Sequence, residues 1–258
     1  MDFHTKFWVD FVKQHLQVSN REIFVGYRLR GLQSRLQNFF FGEMIQHEIF
    51  SKGIIKGKLL DIGSGPISYF ECFPSVEVVA LDPCIDSCVE LCPGIFKKGQ
   101  VNNVKYISGT IDDITEDEFD IIWCTNVLDH IESYKHIFRK FPNLLSENGI
   151  CIIQTDCRST FNTCEGHEGV FSAKELLREI RALDFHIYYS LLTRGGHGGD
   201  SINLIFGKKK TLRDTCNKDF YEYFILMKRI RFRKYLPKFI YPLVKKIYFY
   251  FSKGRQNS

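Results

Sequence analysis

Leu59-Leu60-Asp61-Ile62-Gly63-Ser64-Gly65-Pro66-Ile67-Ser68 is the stretch that decides the fold. Leu59 to Ile62 reads as a buried strand, and Gly63 and Gly65 then open a tight turn. A glycine tolerates positive φ and lets backbone come close to a ligand. A strand that enters such a turn, with a helix expected next, is how doubly wound sheets hold a nucleoside beyond the carboxyl ends of their strands. Downstream, the apolar run Val78-Val79-Ala80-Leu81 ends on Asp82. That places a carboxylate about twenty residues further on, where a ribose diol is hydrogen-bonded.

Outward from this centre, short apolar runs alternate with helix-length segments, the rhythm of a parallel sheet covered on both faces. Strands are expected near 58–62, 76–81, 103–107, 119–124, 148–156, 185–192 and 200–207. The fold class is therefore α/β, a seven-stranded, mostly parallel, doubly wound sheet. Between the last two strands lies only Thr193-Arg194-Gly195-Gly196-His197-Gly198-Gly199-Asp200. No crossover helix fits there, so the last strand must return antiparallel. Phe3, Phe7, Phe11 and Val12, then Leu29, Leu32, Leu36 and Phe40, recur at helical spacing. The expected organisation is an N-terminal helical cap over 1–55, a cofactor-binding domain over 56–210 and a helical extension over 211–258.

Two details separate the cofactor classes. The third glycine of the dinucleotide pattern is missing, with Ile67 at or next to its position, and Asp61 stands two residues before Gly63. In this the region resembles the class I S-adenosylmethionine-dependent methyltransferase superfamily, whose first motif is an apolar pair, an acidic residue, an apolar residue and GxG. The resemblance runs from about Lys58 to Gly207 and implies S-adenosyl-L-methionine as cofactor in a Rossmann-like methyltransferase fold. It implies that Gly63, Ser64 and Gly65 border the methionine part, that Asp61 helps hold its amino group directly or through water, and that Asp82 takes the ribose hydroxyls. Many relatives carry an Asp for the adenine amino group where Thr110 stands, so the backbone at Ile111, or Asp112, is expected to substitute. Phe119-Asp120-Ile121-Ile122-Trp123-Cys124-Thr125-Asn126-Val127-Leu128-Asp129-His130-Ile131 resembles the same segment of the small-molecule branch, which includes quinone-biosynthesis and glycan-cluster methyltransferases. Asp129-His130 carries that likeness, and Asn126 falls on the cofactor side of it.

Methyl transfer from a sulfonium is an in-line displacement that mostly needs positioning. An acceptor hydroxyl must also lose its proton, a task for an imidazole that titrates near neutrality. His130 or His167 is the expected base, with Asp129 as an orienting partner. Some quinone-pathway relatives hold a divalent metal with an E-x-x-E-H pattern. The matching residues here are Asn126, Asp129 and His130, one anionic ligand short, so no metal is expected. Cys84, Cys88 and Cys92 share one helical face. Without C-x-x-C knuckles they are expected to pack as small hydrophobes and not to bind zinc.

Charge divides the chain. From Lys208 to Ser258 there are 15 Lys and Arg against 3 Asp and Glu, a balance of +12. With +5 overall, residues 1–207 carry −7. Aromatics interleaved with cations, as in Met227-Lys228-Arg229-Ile230-Arg231-Phe232-Arg233-Lys234-Tyr235, suit a helix in the headgroup plane of an anionic membrane. Docking on the domain and nucleic-acid binding rank behind that reading. No stretch of eighteen uncharged apolar residues occurs, so the tail is not expected to span a membrane. Nine cysteines without a signal-peptide pattern point to the reducing cytoplasm, with the protein peripheral at the inner face of a membrane. The expected reaction is O-methylation of a small or lipid-linked acceptor such as a sugar, glycan intermediate or quinone precursor. An RNA methyltransferase that uses the basic tail ranks lower, because Thr125-Asn126-Val127-Leu128 replaces the N-P-P-Y-type tetrapeptide. A non-catalytic scaffold of the same fold and an NAD-dependent oxidoreductase are the remaining alternatives.

Overall fold

Strands buried on both faces need apolar residues at nearly every position, and Leu59–Ile62, Val78–Leu81 and Ile121–Cys124 meet that need. The computed structural model describes residues 3–12, 21, 57–115, 118–131, 133–157, 169, 171–194 and 200–211. All of them belong to the unit Met1–Tyr221. The extension beyond Thr211, most of the 1–55 cap, and Arg158, His167 and His197 lie outside the described residues.

One sheet contains β1 (Gly57–Ile62), β2 (Val76–Leu81), β3 (Gly99–Val101), β4 (Val104–Ile107), β5 (Phe119–Thr125), β6 (Leu145–Cys157), β7 (His186–Arg194) and β8 (Asp200–Gly207). Their order is β3-β4-β2-β1-β5-β6-β8-β7. β4, β2, β1, β5 and β6 run parallel, while β8 pairs antiparallel with both β6 and β7. The doubly wound architecture and the returning last strand are as expected from the sequence.

The strand count is eight, not seven. The extra strand, β3, folds back on β4 through the two-residue turn Asn102-Asn103, with Asn102 at φ 52°. Asparagine is one of the few residues that tolerates this conformation. A second difference follows the glycine turn. Residues 63–75 form no full helix before β2, only a 3-10 turn at Tyr69–Cys72. Ser68 Oγ caps it by accepting from the Phe70 N–H, and Asn103 Nδ2 donates to the carbonyls of Phe70, Phe73 and Val76. One side-chain amide thus ties the 3-10 turn and the start of β2 to the residue that precedes β4.

Four helices are described: α1 (Phe3–Phe11), α2 (Ile85–Leu91), α3 (Tyr134–Leu144) and α4 (Ala173–Ala182). α4 starts at a capping box in which Ser172 and Glu175 satisfy each other's backbone N–H. α3 and α4 bury Phe138, Phe141, Leu176 and Ile180 against Leu60, Ile122, Ile153, Leu204 and Phe206. Phe119, Phe171 and Phe185 belong to the same cluster. The Phe206 ring meets those of Phe138, Phe141 and Phe185 at centroid distances of 5.2–6.5 Å. A separate cluster joins Val12 of the N-terminal helical segment to Ile67, Cys84, Cys88, Ile95 and Phe96. A hydrogen bond to Cys88, then burial, pushes the Cys84 thiol far above its usual range, so it packs as a neutral group.

Phe206→Ala removes the ring on which three other aromatics close, and is expected to lower the unfolding free energy by about 3–5 kcal/mol in urea titrations. A change below about 1 kcal/mol would show that this cluster is not the keystone of the α3–α4 face.

Candidate active site

The glycine turn is built by bonds to the neighbouring strand. Gly63 N–H and Ser64 N–H both donate to the Leu81 carbonyl, at 2.8 and 3.2 Å. Gly63 and Gly65 take φ of 68° and 64°, the left-handed region that L side chains rarely enter. Their lack of side chains also makes room. A Cβ on Gly63 would stand 2.1 Å from Val127 Cγ2, and one on Gly65 2.7 Å from Trp8 Cζ2. The turn is therefore in contact with the segment after β5 and with α1.

Asp82, half-buried at the end of β2, fastens this turn. Its Oδ2 accepts from Gly65 N–H at 2.8 Å and its Oδ1 from Cys84 N–H at 2.9 Å. Each carboxylate oxygen has further acceptor capacity, which suits a ribose diol beside it. Asp61 lies beneath the turn, 1% exposed, with Oδ2 accepting from Ser68 Oγ at 2.6 Å. Ser64 is fully buried and donates its hydroxyl to the Gly65 carbonyl. On the β4 side, Thr110 is exposed and forms a capping box with Asp113, which fixes the 3-10 turn that Ile111 begins. Ile111 itself is buried. Asp61, Gly63, Ser64, Gly65, Asp82, Thr110 and Ile111 thus stand together at the carboxyl ends of β1, β2 and β4.

The second half of the site begins where β5 ends. Asn126 takes φ 59° and continues the sheet through its N–H to the Gln154 carbonyl. Its Nδ2 lies 3.1 Å from His130 Nε2. Asp129 is fully buried and accepts from Thr155 Oγ1 at 3.3 Å. Its Oδ2 stands 3.9 Å from His130 Nε2, too far for a hydrogen bond. Asn126, expected on the cofactor side, is therefore the closer neighbour of the ring, and the expected orienting partner Asp129 the more distant one. Val127, between them, packs against Gly63 and brings the two halves together. Burial first, then Asp200, Asp156 and Asp129, push the Cys157 thiol up to about 12, so it is no thiolate nucleophile near neutral pH. Those three aspartates mark this end of β6 and β8 as acidic. Among the described residues, no group of three or more His, Cys, Asp or Glu side chains is arranged to hold a metal.

Sequence reasoning missed the network that supports Asp61. Ser68, which donates to Asp61, also gives its N–H to Tyr106 OH at 3.1 Å, and Tyr106 OH donates to Glu71 Oε2 at 2.7 Å. Glu71 in turn receives Arg21 through Nε and Nη2 at 3.1 and 2.5 Å, and Arg21 Nη1 reaches the Ile95 carbonyl at 2.6 Å. Burial and the Glu71 carboxylate raise the Tyr106 phenol well above its usual range, which keeps it a donor. Also missed were His4, whose ring lies 5.1 Å from that of His130, and Trp8. The spacing of Phe3, Phe7 and Phe11 marked the helix but not the face that meets the site. A cavity of about 690 Å³, lined by Lys58, Glu77, Gln100, Lys105 and Asp120, lies apart from these residues at the amino ends of β1 and β2.

Residues 56–196, more than half of the chain, match the methyltransferase domain family. The chain belongs to this family. It carries an S-adenosylmethionine-dependent methyltransferase domain, and S-adenosyl-L-methionine is its cofactor. The chain is 26% identical over 113 residues to the ubiquinone biosynthesis O-methyltransferase of Rickettsia conorii, a stretch covering 43% of this chain and 38% of that protein's length. Among solved structures, it is similar to the N-methyltransferase NodS of Bradyrhizobium japonicum in complex with S-adenosylhomocysteine, with 15% identity, 69% of this chain and 85% of that one covered, and a TM-score of 0.47. It is also similar to the 1,6-didemethyltoxoflavin-N1-methyltransferase of Burkholderia thailandensis, with 17% identity, coverage of 72% and 85%, and a TM-score of 0.45.

Glu71→Ala would leave Arg21 without its carboxylate and Tyr106 without its acceptor. It is expected to cost about 3–5 kcal/mol of stability by chemical denaturation, the usual penalty for breaking a buried pair. A cost below about 1 kcal/mol would mean that the pair behaves as a surface salt bridge.

Proposed function

We propose that the chain transfers a methyl group from S-adenosylmethionine to an oxygen of a small or lipid-linked acceptor, such as a sugar, glycan intermediate or quinone precursor. The observation that carries this reading is the His130 imidazole, set at the carboxyl end of β5 with the Asn126 carboxamide 3.1 Å from its Nε2. The cofactor supplies a methyl group made electrophilic by its sulfonium. Asp82, Gly63 and Gly65 fix the donor on one side, and the segment Asn126–His130 meets the acceptor on the other. As the acceptor hydroxyl enters, it takes the place of the Asn126 amide at Nε2 and passes its proton to the ring. Asp129, buried 3.9 Å away, favours the imidazolium that results. His167 is the second candidate for this role.

Several features support a small acceptor over RNA. Asp156 and Asp200 stand at this end of β6 and β8, and their negative charge disfavours a phosphate backbone. The Rickettsia conorii relative is named as an O-methyltransferase of ubiquinone biosynthesis. The +12 balance of the extension supports attachment to anionic lipid at the inner face of a membrane, where a lipid-linked acceptor would be met. Among the described residues, no helix is long and apolar enough to cross a membrane.

Incubation of the full chain with methyl-labelled cofactor and separate small-molecule, lipid and RNA extracts is expected to put label into an O-methyl group of the first or second. His130→Ala should slow that transfer about 100-fold or more. Label in an N-methyl group or in RNA would overturn the assignment. A wild-type rate in His130→Ala would pass the base role to His167, to be tested by His167→Ala. In flotation assays the full chain should rise with anionic vesicles at low salt and stay behind with neutral ones. Equal behaviour with both would remove the membrane role.

A further inference from the structure

α1 presents two faces to the rest of the protein. Thr5, Val9 and Val12 are buried at helical spacing and dock the segment. His4, Trp8 and Phe11 form a neighbouring stripe. On it, the His4 ring meets His130 edge-on at 5.1 Å, and the Trp8 indole edge lies where a side chain on Gly65 would project, 2.7 Å from the position of its Cβ. His4 and Trp8 are one helical turn apart, about 6 Å along the axis. α1 therefore lies along the carboxyl edge of the sheet from the glycine turn to the end of β5. Those are the two places between which a methyl group must pass. Phe11 lies in the cluster that holds Cys84, the residue whose N–H binds Asp82.

From this geometry we infer that α1 is a built-in wall of the active site, with Trp8 closing the cofactor pocket over Gly65 and His4 standing beside His130 on the acceptor side. The inference rests on the reading that Gly63, Gly65 and Asp82 bind an adenosyl cofactor. Trp8 acts in two ways. It packs on the residue whose N–H holds Asp82 Oδ2, so it steadies the ribose-binding carboxylate. It also covers the turn that borders the methionine part of the cofactor, which keeps water from the sulfonium.

The chain has two tryptophans, Trp8 and Trp123, and the second is fully buried with its Nε1 bonded to Thr125 Oγ1. This makes Trp8 a reporter of its own contact. The probe is S-adenosylhomocysteine, titrated by calorimetry and by indole emission into the full-length wild type, Trp8→Phe, Trp8→Ala and Lys6→Ala. Lys6 is an exposed residue of the same helix. The wild type should bind with an emission change at the calorimetric midpoint, and Trp8→Phe should bind with that change lost. Trp8→Ala should bind about tenfold or more weakly, and Lys6→Ala should match the wild type. Binding that Trp8→Ala leaves unaltered, or an emission change that persists in Trp8→Phe, overturns the wall while leaving the cofactor reading intact. If Trp8→Ala fails to fold, the emission test on Trp8→Phe still decides. No calorimetric binding by the folded wild type overturns the cofactor reading and the wall with it.

Discussion

The site depends on Asp82, one carboxylate that holds two backbone N–H groups from different segments. By accepting from Gly65 and Cys84 it ties the glycine turn after β1 to the start of α2. The turn is a left-handed excursion at two residues, which costs conformational freedom and persists only when its surroundings determine it. The Leu81 carbonyl holds the turn from one side, Asp82 from another, and the buried Asp61–Ser68 pair from below. A charged group that accepts backbone N–H bonds makes stronger hydrogen bonds than a neutral one, which suits Asp82 to this task.

From that point the support extends outward in two directions. One is polar, from Asp61 through Ser68, Tyr106 and Glu71 to Arg21, and it anchors a residue near the N-terminus to the foundation of the turn. The other is apolar, through Val127 against Gly63, and it sets the end of β5 beside the turn. The histidine, its asparagine neighbour and the buried aspartate follow in sequence from there. The parallel pairing of β1 with β5 and the contact of Val127 with Gly63 therefore couple the part of the site that would hold a methyl donor to the part that would meet its acceptor.

What could be seen in the sequence was what is local in the chain. Leu59 to Gly65 and Val78 to Asp82 are contiguous signals, each set by burial on both faces and one special backbone position, so both strands and the glycine turn stand where expected. β3 escaped because three residues carry no period, and its pairing rests on the Asn102-Asn103 turn. In place of the helix expected after Gly65 stands a short 3-10 turn held by Asn103, some thirty residues away in sequence. Arg21–Glu71 and His4–His130 join residues far apart in the chain, and no spacing rule sees such pairs. The exchange of partners at His130 has the same origin. Asp129 is adjacent in sequence, but it faces Thr155, whereas the left-handed turn at Asn126 carries its carboxamide back to the ring.

The proposed cofactor site is built around Asp82. Its most direct test is calorimetric titration of the full chain and of Asp82→Ala with S-adenosylmethionine, with NAD as the comparison ligand. Saturable binding of S-adenosylmethionine by the wild type, none of NAD, and loss of binding in a folded Asp82→Ala protein is the predicted result. Undiminished S-adenosylmethionine binding by Asp82→Ala, or binding of NAD in its place, would contradict it.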